Sequence, residues 1–443
     1  MSEDDEKKLT KTESGFKLTG SRLLVEKPFA YALKSSLLSE ICDNCFQRKQ
    51  VKKCSGCQTL FYCSRECQKQ GWKIHRKECP LLFKIKPQIL PDAAFFLSRI
   101  IFSLERNPDE KSYYTEKDYR KFDDLQSHEE EIRKDKSRME HIALLSAVLH
   151  RYLGQKNVPR FEELVKLYGK MCINSFSILD PDMQCIGSGI YLGGSILDHS
   201  CKPNAVTVFK GTTLYVISTE DINHFEWSKV QISYEDLLSL TSKRQAELSK
   251  YYYFDCKCPR CLDFDLQNLE TSMLCQSANC GGPVYMNNSD ASEFACKDCN
   301  QPIRNDKVKK YKKFVLAIEE KLANKSSVIV NSDVDKWCQK IATLAHPLNY
   351  YYVKLLDLAC EEAIKTENWK GAAEYGSQLV SGFRHYYGAL NPILGIHLMK
   401  LSNLYISLNN KKMAVKHFQE AIKILKLTNN ESILTYHLQG LDD

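Results

Sequence analysis

The chain has 443 residues, of which 43% are hydrophobic, so its length predicts about three domains with apolar cores. Its 62 basic and 55 acidic residues leave a formal net charge of +7, which is too small to indicate a nucleic-acid partner by itself. The first residues lack a signal-peptide pattern and no run of about 18 apolar residues occurs, so we expect an intracellular protein without a membrane span.

The N-terminal part of the chain predicts a tail followed by a strand. Residues 1–15 are charged and polar without hydrophobic periodicity, which is typical of a disordered tail. Residues 22–33 form a short β-type run that Pro28 interrupts. The cysteine-rich segment that follows therefore interrupts whatever fold this strand belongs to.

Eight metal-binding side chains fall within residues 42–79, with the spacing C-x2-C-x8-C-x2-C-x5-C-x3-C-x7-H-x3-C. Zinc prefers thiolates and imidazoles, and a C-x2-C pair supplies two ligands from one turn. So short a module buries too little apolar surface to fold without metal. A disulfide framework is the alternative, which the expected reducing compartment disfavours. We predict two interleaved zinc sites, one formed by Cys42, Cys45, Cys63 and Cys67 and the other by Cys54, Cys57, His75 and Cys79.

The middle of the chain changes from helical to β-type patterning. Residues 91–176 carry helical periodicity, as in 139–153 and 161–168. Between Ile186 and Tyr234, β-branched and aromatic segments alternate with turn residues, which predicts a compact β-rich core. The predicted strands of this core are 190–192, 205–209, 213–217 and 230–234.

A second group of cysteines follows the β-rich core. Cys256, Cys258 and Cys261 need a fourth zinc ligand, and the candidate is Cys201, which would pin its polar loop against this segment. A zinc-ribbon-like arrangement comes next, formed by Cys275, Cys280, Cys296 and Cys299. We therefore expect four zinc ions. Free thiols are expected at the four remaining positions, Cys172, Cys185, Cys338 and Cys360.

From about Lys307 onward the sequence predicts helices. Segments that begin at Asn368 and Asn409 align about 41 residues apart, and each opens a helix of small residues. Paired helices at this period predict a short solenoid related to tetratricopeptide repeats (TPR). A plain helical bundle is the alternative, because only two copies are visible.

The eight-ligand module resembles a MYND finger. The finger follows an initial β segment and precedes helices, the Asp198-His-Ser-Cys-Lys-Pro-Asn204 loop, a strand that ends at Tyr234, and the C-x-C-x2-C group. This order of segments resembles the SET and MYND (SMYD) family of protein-lysine methyltransferases. The resemblance implies an α+β multidomain fold. Its β-rich SET core is split by the finger and is followed by a zinc-bound post-SET segment and an all-α, TPR-like C-terminal domain. The implied boundaries are 16–41 for the N-terminal SET portion, 42–79 for the finger, 80–176 for a helical insert, 177–240 for the SET core, 241–304 for the post-SET and extra zinc segment, and 305–443 for the helical domain.

The resemblance also implies transfer of a methyl group from S-adenosylmethionine to a lysine of a histone or non-histone protein. Tyr234 matches the family's catalytic tyrosine, whose hydroxyl orients the amine. Tyr252 and Phe254 match post-SET aromatics that wall the lysine channel and can face the cationic sulfur of the donor. The remaining donor contacts carried over from the family are His128, Asn174, Asp198 and His199.

Three departures from the family pattern are visible. The family's first strand and Gly-x-Gly-type donor loop are not found before Arg22, where only Gly15 and Gly20 occur, and the N-terminal SET segment looks truncated. Asp198 stands where an asparagine is expected, and its carboxylate would repel the donor's own. Residues 223–228 replace a Gly-Glu-Glu turn and are two residues longer, which could shift the register of Tyr234.

Two other functions are consistent with the sequence. The first is a catalytically impaired adaptor that binds partner proteins in transcriptional regulation, which the missing glycine loop favours. The second is a nucleic-acid-binding zinc protein, which ranks last because basic finger residues add weak phosphate contacts at most. We further expect a monomer in nucleus and cytoplasm, with proline-rich peptides as candidate partners of the finger.

Overall fold

A computed structural model of the protein describes residues 17–286, 294–323 and 333–428. The predicted disordered tail over residues 1–15 lies outside these ranges. The chain divides into two compact units. The first comprises Met1–His199, Pro203–Ile232 and Lys250–Phe254, and the second Ser200–Lys202, Ser233–Ser249 and Asp255–Asp443. No helix in the described ranges is long and apolar enough to cross a membrane.

The strands of the first unit form several small sheets. They are β1 (Arg22–Glu26), β2 (Ala30–Leu33), β3 (Lys52–Lys53), β4 (Phe61–Tyr62), β5 (Ser112–Tyr113), β6 (Tyr119–Arg120), β7 (Ser175–Leu179), β8 (Cys185–Ile190), β9 (Asp198–His199), β10 (Ala205–Lys210), β11 (Thr213–Ser218) and β12 (Gln231–Ile232). Two antiparallel sheets have the orders β1-β11-β10 and β2-β8-β7, and β9 pairs with β12 in parallel. The N-terminal strands therefore complete sheets whose other strands come far later in the chain.

Some strand predictions differ from the structure. The run over residues 22–33 forms two strands on either side of Pro28, and each joins a different sheet, since proline cannot donate to a ladder. Of the segment 190–192 only Ile190 is in a strand, as the last residue of β8. The segment 230–234 contains only the two-residue strand β12.

Helices fill the middle of the first unit. They are α1 (Arg65–Ile85), α2 (Asp92–Arg106), α3 (Glu129–Lys134), α4 (Lys136–Leu153) and α5 (Phe161–Asn174). The short hairpin β5–β6 separates α2 from α3. Helix α2 is buried on nearly every side over residues 94–103, which is typical of a central helix in a core. Its apolar side chains join those of the finger, β2 and the other insert helices in one hydrophobic cluster.

The second unit is mainly helical, and all its elements after residue 304 in the described ranges are helices. Helix α6 (Thr241–Tyr252) begins in it and ends in the first unit. The further elements are α7 (Pro259–Leu262), α8 (Phe264–Glu270), β13 (Met273–Leu274), β14 (Pro283–Val284), α9 (Asn305–Ala323), α10 (Asp333–Ala342), α11 (Tyr350–Lys365), α12 (Trp369–Tyr387), α13 (Pro392–Ser407) and α14 (Lys411–Leu427). The α+β fold class with an inserted finger and a helical C-terminal part is confirmed.

Four successive helices of the second unit start in the same way. An asparagine side chain at the N-cap accepts a backbone N–H from the first turn of α11, α12, α13 and α14. Asparagine is among the best N-cap residues because its side-chain oxygen satisfies a helix donor that has no partner in the helix. The caps are Asn349, Asn368, Asn391 and Asn410. The cap of α14 is thus Asn410, one residue after the predicted Asn409.

Candidate metal centres and active site

One cage of the finger joins Cys42 and Cys45, which precede β3, to Cys63 and Cys67. Cys67 lies in the first turn of α1, where its backbone N–H donates to the N-cap Ser64 over 3.1 Å. The Sγ–Sγ distances are 3.8 Å for Cys45–Cys63 and 3.4 Å for Cys63–Cys67. Tetrahedral zinc with bonds of about 2.3 Å holds sulfur ligands about 3.8 Å apart, so this donor set fits zinc.

The second cage of the finger contains Cys54, Cys57, His75 and Cys79, all buried. His75 and Cys79 lie one turn apart on α1, and Nε2 of His75 is 3.4 Å from Sγ of Cys54 and 3.7 Å from Sγ of Cys57. A Cβ atom on Gly56 would lie 2.7 Å from Sγ of Cys79, so only glycine leaves room for this sulfur. The ligands are therefore grouped in the interleaved way, with the donor atoms of each cage within 4.8 Å of one another.

The third cage lies in the second unit and contains Cys201, Cys256, Cys258 and Cys261. Sγ of Cys261 is 3.5 Å from Sγ of Cys201, although the two residues are far apart in the chain. Hydrogen bonds from the thiols of Cys201 and Cys261 lower the pKa of Cys258. The structure thus brings the loop cysteine to the C-x-C-x2-C segment.

Two buried arginines lie beside this third cage. Nη1 of Arg260 donates to the carbonyl of Cys201 over 3.4 Å, and its Nη2 donates to the carbonyl of Leu237 over 3.0 Å. Arg244 and Arg260 share the carboxylate of Glu270 at 3.4 and 3.6 Å. Burial lowers the pKa of Arg260, and repulsion by Arg244 adds to this. Because four thiolates outweigh the charge of one zinc ion, the excess positive charge here matches a filled cage.

The fourth cage is formed by Cys275, Cys280, Cys296 and Cys299 around the hairpin β13–β14. The Sγ atoms of Cys275 and Cys299 are 3.6 Å apart, as are those of Cys280 and Cys296. The backbone N–H of Gly282 donates to Sγ of Cys280 over 3.4 Å. Backbone donors of this kind stabilise thiolates, which is the form that binds zinc.

His128, a predicted donor contact, lies in the first unit at the N-cap of α3. Its backbone is left-handed, with φ of 48°, and its ring centroid is 5.3 Å from that of Tyr253. The guanidinium of Arg138 lies 5.2 Å from the Tyr253 ring, and its Nη2 donates to the carbonyl of Tyr251 over 3.1 Å. These contacts fasten the aromatic segment 250–254 to the helical insert.

Asn174, the last residue of α5, is fixed by its amide group. Its Nδ2 donates to the carbonyls of Gln126 and Lys170, both over 2.8 Å. These two bonds use both amide hydrogens, so Oδ1 is the remaining polar atom of the side chain. The residue can therefore offer an acceptor to a ligand in a fixed orientation.

Asp198 and His199 form β9, which pairs with Gln231 and Ile232 of β12. The side chain of Asp198 is exposed, whereas His199 is buried and its ring lies 6.0 Å from that of Phe254. Phe254 is half-buried, as is Tyr252 at the end of α6. The predicted donor residues of the first unit thus lie on the ends of α3, α5 and α6 and on β9.

A family model for the MYND finger matches residues 42–79. The histone-lysine N-methyltransferase SMYD3 of Mus musculus is 28% identical over 93% of this chain and 88% of that protein. The histone-lysine N-methyltransferase ASHR1 of Arabidopsis thaliana is 26% identical over the same shares, and the N-lysine methyltransferase SMYD2-B of Danio rerio is 26% identical over 91% and 88%. The chain is therefore similar, over most of its length, to SMYD protein-lysine methyltransferases.

Tyr253 is a residue near the predicted donor contacts that the sequence did not single out. Burial raises its pKa above the usual tyrosine range, and its hydroxyl has no hydrogen-bond partner among the described residues. Its backbone is left-handed, with φ of 62°, and its ring centroid lies 5.3 Å from that of His128. Three successive tyrosines carry no local signal that distinguishes the one facing the site.

Tyr234, the predicted catalytic tyrosine, lies in the second unit, two residues after the end of β12. It is half-buried in a bend, where the hydroxyl of the preceding Ser233 donates to the carbonyl of Glu235 over 2.7 Å. The predicted strand that ends at Tyr234 is therefore shorter than expected. The extra residues before it form a turn that includes a short 3-10 helix, Trp227–Lys229.

The described residues before β1 run along the turn after β11. Lys17 pairs with Ile222, and the backbone N–H of Gly20 donates to the carbonyl of Ser218 over 2.8 Å. Gly20 has φ of 84°, a conformation that glycine adopts without strain. The four cysteines predicted to be free thiols, Cys172, Cys185, Cys338 and Cys360, lie outside the four cages.

Proposed function

We propose that this protein is a member of the SMYD family and transfers a methyl group from S-adenosylmethionine to the side-chain nitrogen of a lysine in a protein substrate. The observation that carries the proposal is the similarity to named lysine methyltransferases over 88% of their length. The arrangement of the donor residues in the first unit supports it. The proposal includes the domain boundaries that the sequence implies.

A site for the methyl donor needs polar atoms that the fold holds in place and that have no hydrogen-bond partner within the protein. Oδ1 of Asn174 and the hydroxyl of Tyr253 meet this requirement among the described residues. We assign Asn174, His128 and His199 to hold the amino-acid and ribose parts of the donor, and Phe254 to face its sulfonium. When bound, S-adenosylmethionine supplies an electrophilic methyl group.

The substrate amine must lose its proton before it can act as a nucleophile. A free lysine has a pKa of about 10.4 and is mostly protonated at neutral pH. An apolar channel walled by Tyr252 and Phe254 would favour the neutral amine, because burial disfavours its charged form. In this proposal the hydroxyl of Tyr234 accepts a hydrogen bond from the amine and orients its lone pair.

We further propose that the substrates are histone tails or other proteins in nucleus and cytoplasm, that the chain acts as a monomer, and that the finger binds proline-rich peptides. The alternative function is a non-catalytic adaptor, and donor binding distinguishes it from the enzyme.

Calorimetric titration of the purified, zinc-loaded protein with S-adenosylmethionine tests the proposal. We expect saturable binding of one equivalent, and transfer of a labelled methyl group to histone or peptide lysines in a parallel assay. Heat of dilution alone at high protein concentration would reject the enzyme and favour the adaptor. Binding without transfer to any tested protein would limit the conclusion to a donor-binding protein.

A further inference from the structure

A single buried arginine contacts the finger at two places. Arg99 lies in the middle of α2, outside the finger, and only 4% of its surface is exposed. Its Nε donates to Oε1 of Glu78 over 2.7 Å, and its Nη2 donates to Oε2 of Glu78 over 3.2 Å and to Oδ2 of Asp43 over 2.6 Å. Its Nη1 donates to the carbonyl of Tyr31 in β2 over 3.0 Å. All three nitrogen atoms of the guanidinium therefore donate hydrogen bonds, to the finger and to β2.

The two carboxylates that Arg99 binds are next to zinc ligands in the chain. Asp43 follows Cys42 of the first cage, and Glu78 precedes Cys79 of the second. The side chains of Asp43 and Glu78 are 5% and 0% exposed. Without the guanidinium, these two buried carboxylates would lose the cation that both of them contact.

Glu78 also fixes the orientation of a zinc ligand. Its Oε2 is 3.4 Å from Nδ1 of His75, while Nε2 of that ring points at the sulfur atoms of Cys54 and Cys57. A hydrogen bond from Nδ1–H to a carboxylate keeps the proton off Nε2, which leaves its lone pair for the metal. The chain of contacts therefore runs from Arg99 through Glu78 to His75.

We infer that Arg99 is a positioning residue for both zinc cages of the finger and acts through Asp43 and Glu78. A helix of the insert thereby determines how tightly the finger holds zinc. The pair of Lys77 and Glu105 provides a contrast, because it joins the same two helices at 2.6 Å, but both side chains are more than 40% exposed. Water screens such a pair, so it contributes little.

The test measures how fast each cysteine of the full chain reacts with N-ethylmaleimide, by mass spectrometry of its peptides. In Arg99→Met we expect the finger cysteines to react about 10- to 100-fold faster than in the wild type, as is typical for loss of an outer-shell partner. The internal reference is the fourth cage, whose rates should not change: Cys275, Cys280, Cys296 and Cys299. The control Lys77→Met should stay within about twofold of the wild type.

A conservative variant and a double variant separate positioning from general destabilisation. Arg99→Lys keeps the charge but cannot bridge both carboxylates, so its finger cysteines should react at an intermediate rate. If Arg99→Met does not fold, the cysteine reaction rates of Arg99→Lys test the inference instead. In a Glu78→Gln background, Arg99→Met should add less than about twofold at the cysteines of the second cage, because its action on that cage runs through Glu78, whereas its effect on the first cage through Asp43 should remain.

Three outcomes would overturn the inference. The first is equal acceleration of finger and fourth-cage cysteines, and the second is a rate for Arg99→Met that matches Lys77→Met. The third is full multiplication of the Glu78→Gln and Arg99→Met effects at the cysteines of the second cage, which would mean that the two residues act on that cage independently.

Discussion

At the residue scale, the type of a side chain does not show which of its atoms are available to a ligand at the candidate site. Asn174 is held by two carbonyls and keeps one acceptor, whereas Asp198 presents an exposed carboxylate. Tyr253 contacts His128, and the two residues that precede it are also tyrosines. The role of each residue therefore follows from its backbone conformation and its neighbours, and substitution tests that role directly.

The first prediction at this scale concerns Tyr234. Removing its hydroxyl in Tyr234→Phe should leave the Kd for S-adenosylmethionine unchanged but lower methyl transfer by about 100-fold or more, because the amine loses its orientation. Calorimetry and a labelled-methyl assay measure the two effects separately. Turnover equal to that of the wild type would reject the assigned role.

The second prediction concerns the charge of Asp198. Two carboxylates about 4 Å apart in water repel by about 1 kcal/mol, so Asp198→Asn should tighten donor binding about fivefold. The gain should shrink at high salt, which screens exposed charges. Glu66→Gln, a change at an exposed finger residue, serves as the control. Unchanged or weaker binding by Asp198→Asn would show that its carboxylate lies away from the donor.

At the element scale, the sequence predicts helices better than strands. Zinc ligands and helix starts are local signals, so the helical C-terminal part and the finger could be recognised within short windows. The strands β9 and β12 have two residues each, and no periodicity can identify so short an element. The break at Pro28 was visible, but the assignment of β1 and β2 to different sheets was not.

The helix caps provide a prediction at this scale. Asn410→Ala removes only an exposed cap and should cost about 1 kcal/mol of stability. Asn349 caps α11 and also donates to the carbonyl of Ser272 and to the hydroxyl of Tyr311 from a buried position. Asn349→Ala should therefore cost about 3 kcal/mol, since it also removes two buried hydrogen bonds. Urea denaturation followed by circular dichroism compares the two variants, and equal losses would contradict the argument.

At the scale of the whole molecule, four cages distribute structural metal over both units. The segments around the first, second and fourth cages contain strands of only two residues each, β3, β4, β13 and β14. Metal binding then supplies part of the folding free energy, since the unfolded chain binds zinc far less well.

Zinc removal gives the prediction for the whole molecule. Elemental analysis of the purified protein should return four zinc ions per chain. Treatment with a strong chelator should lower the Tm, because it removes a ligand that binds the folded state preferentially. Two equivalents or fewer, or a melting curve that chelation leaves unchanged, would contradict the assignment of four structural sites.

The sequence by itself determined which cysteine and histidine residues group into candidate metal cages and which parts are helical, because ligand spacing, donor type and helical periodicity are local properties. The tertiary structure decided which strands pair, which tyrosine of the segment 251–253 faces His128, and that Arg99 joins α2 to both finger cages. These contacts connect residues distant in the chain. Their free energy depends on burial and geometry that exist only after folding, so no local pattern encodes them.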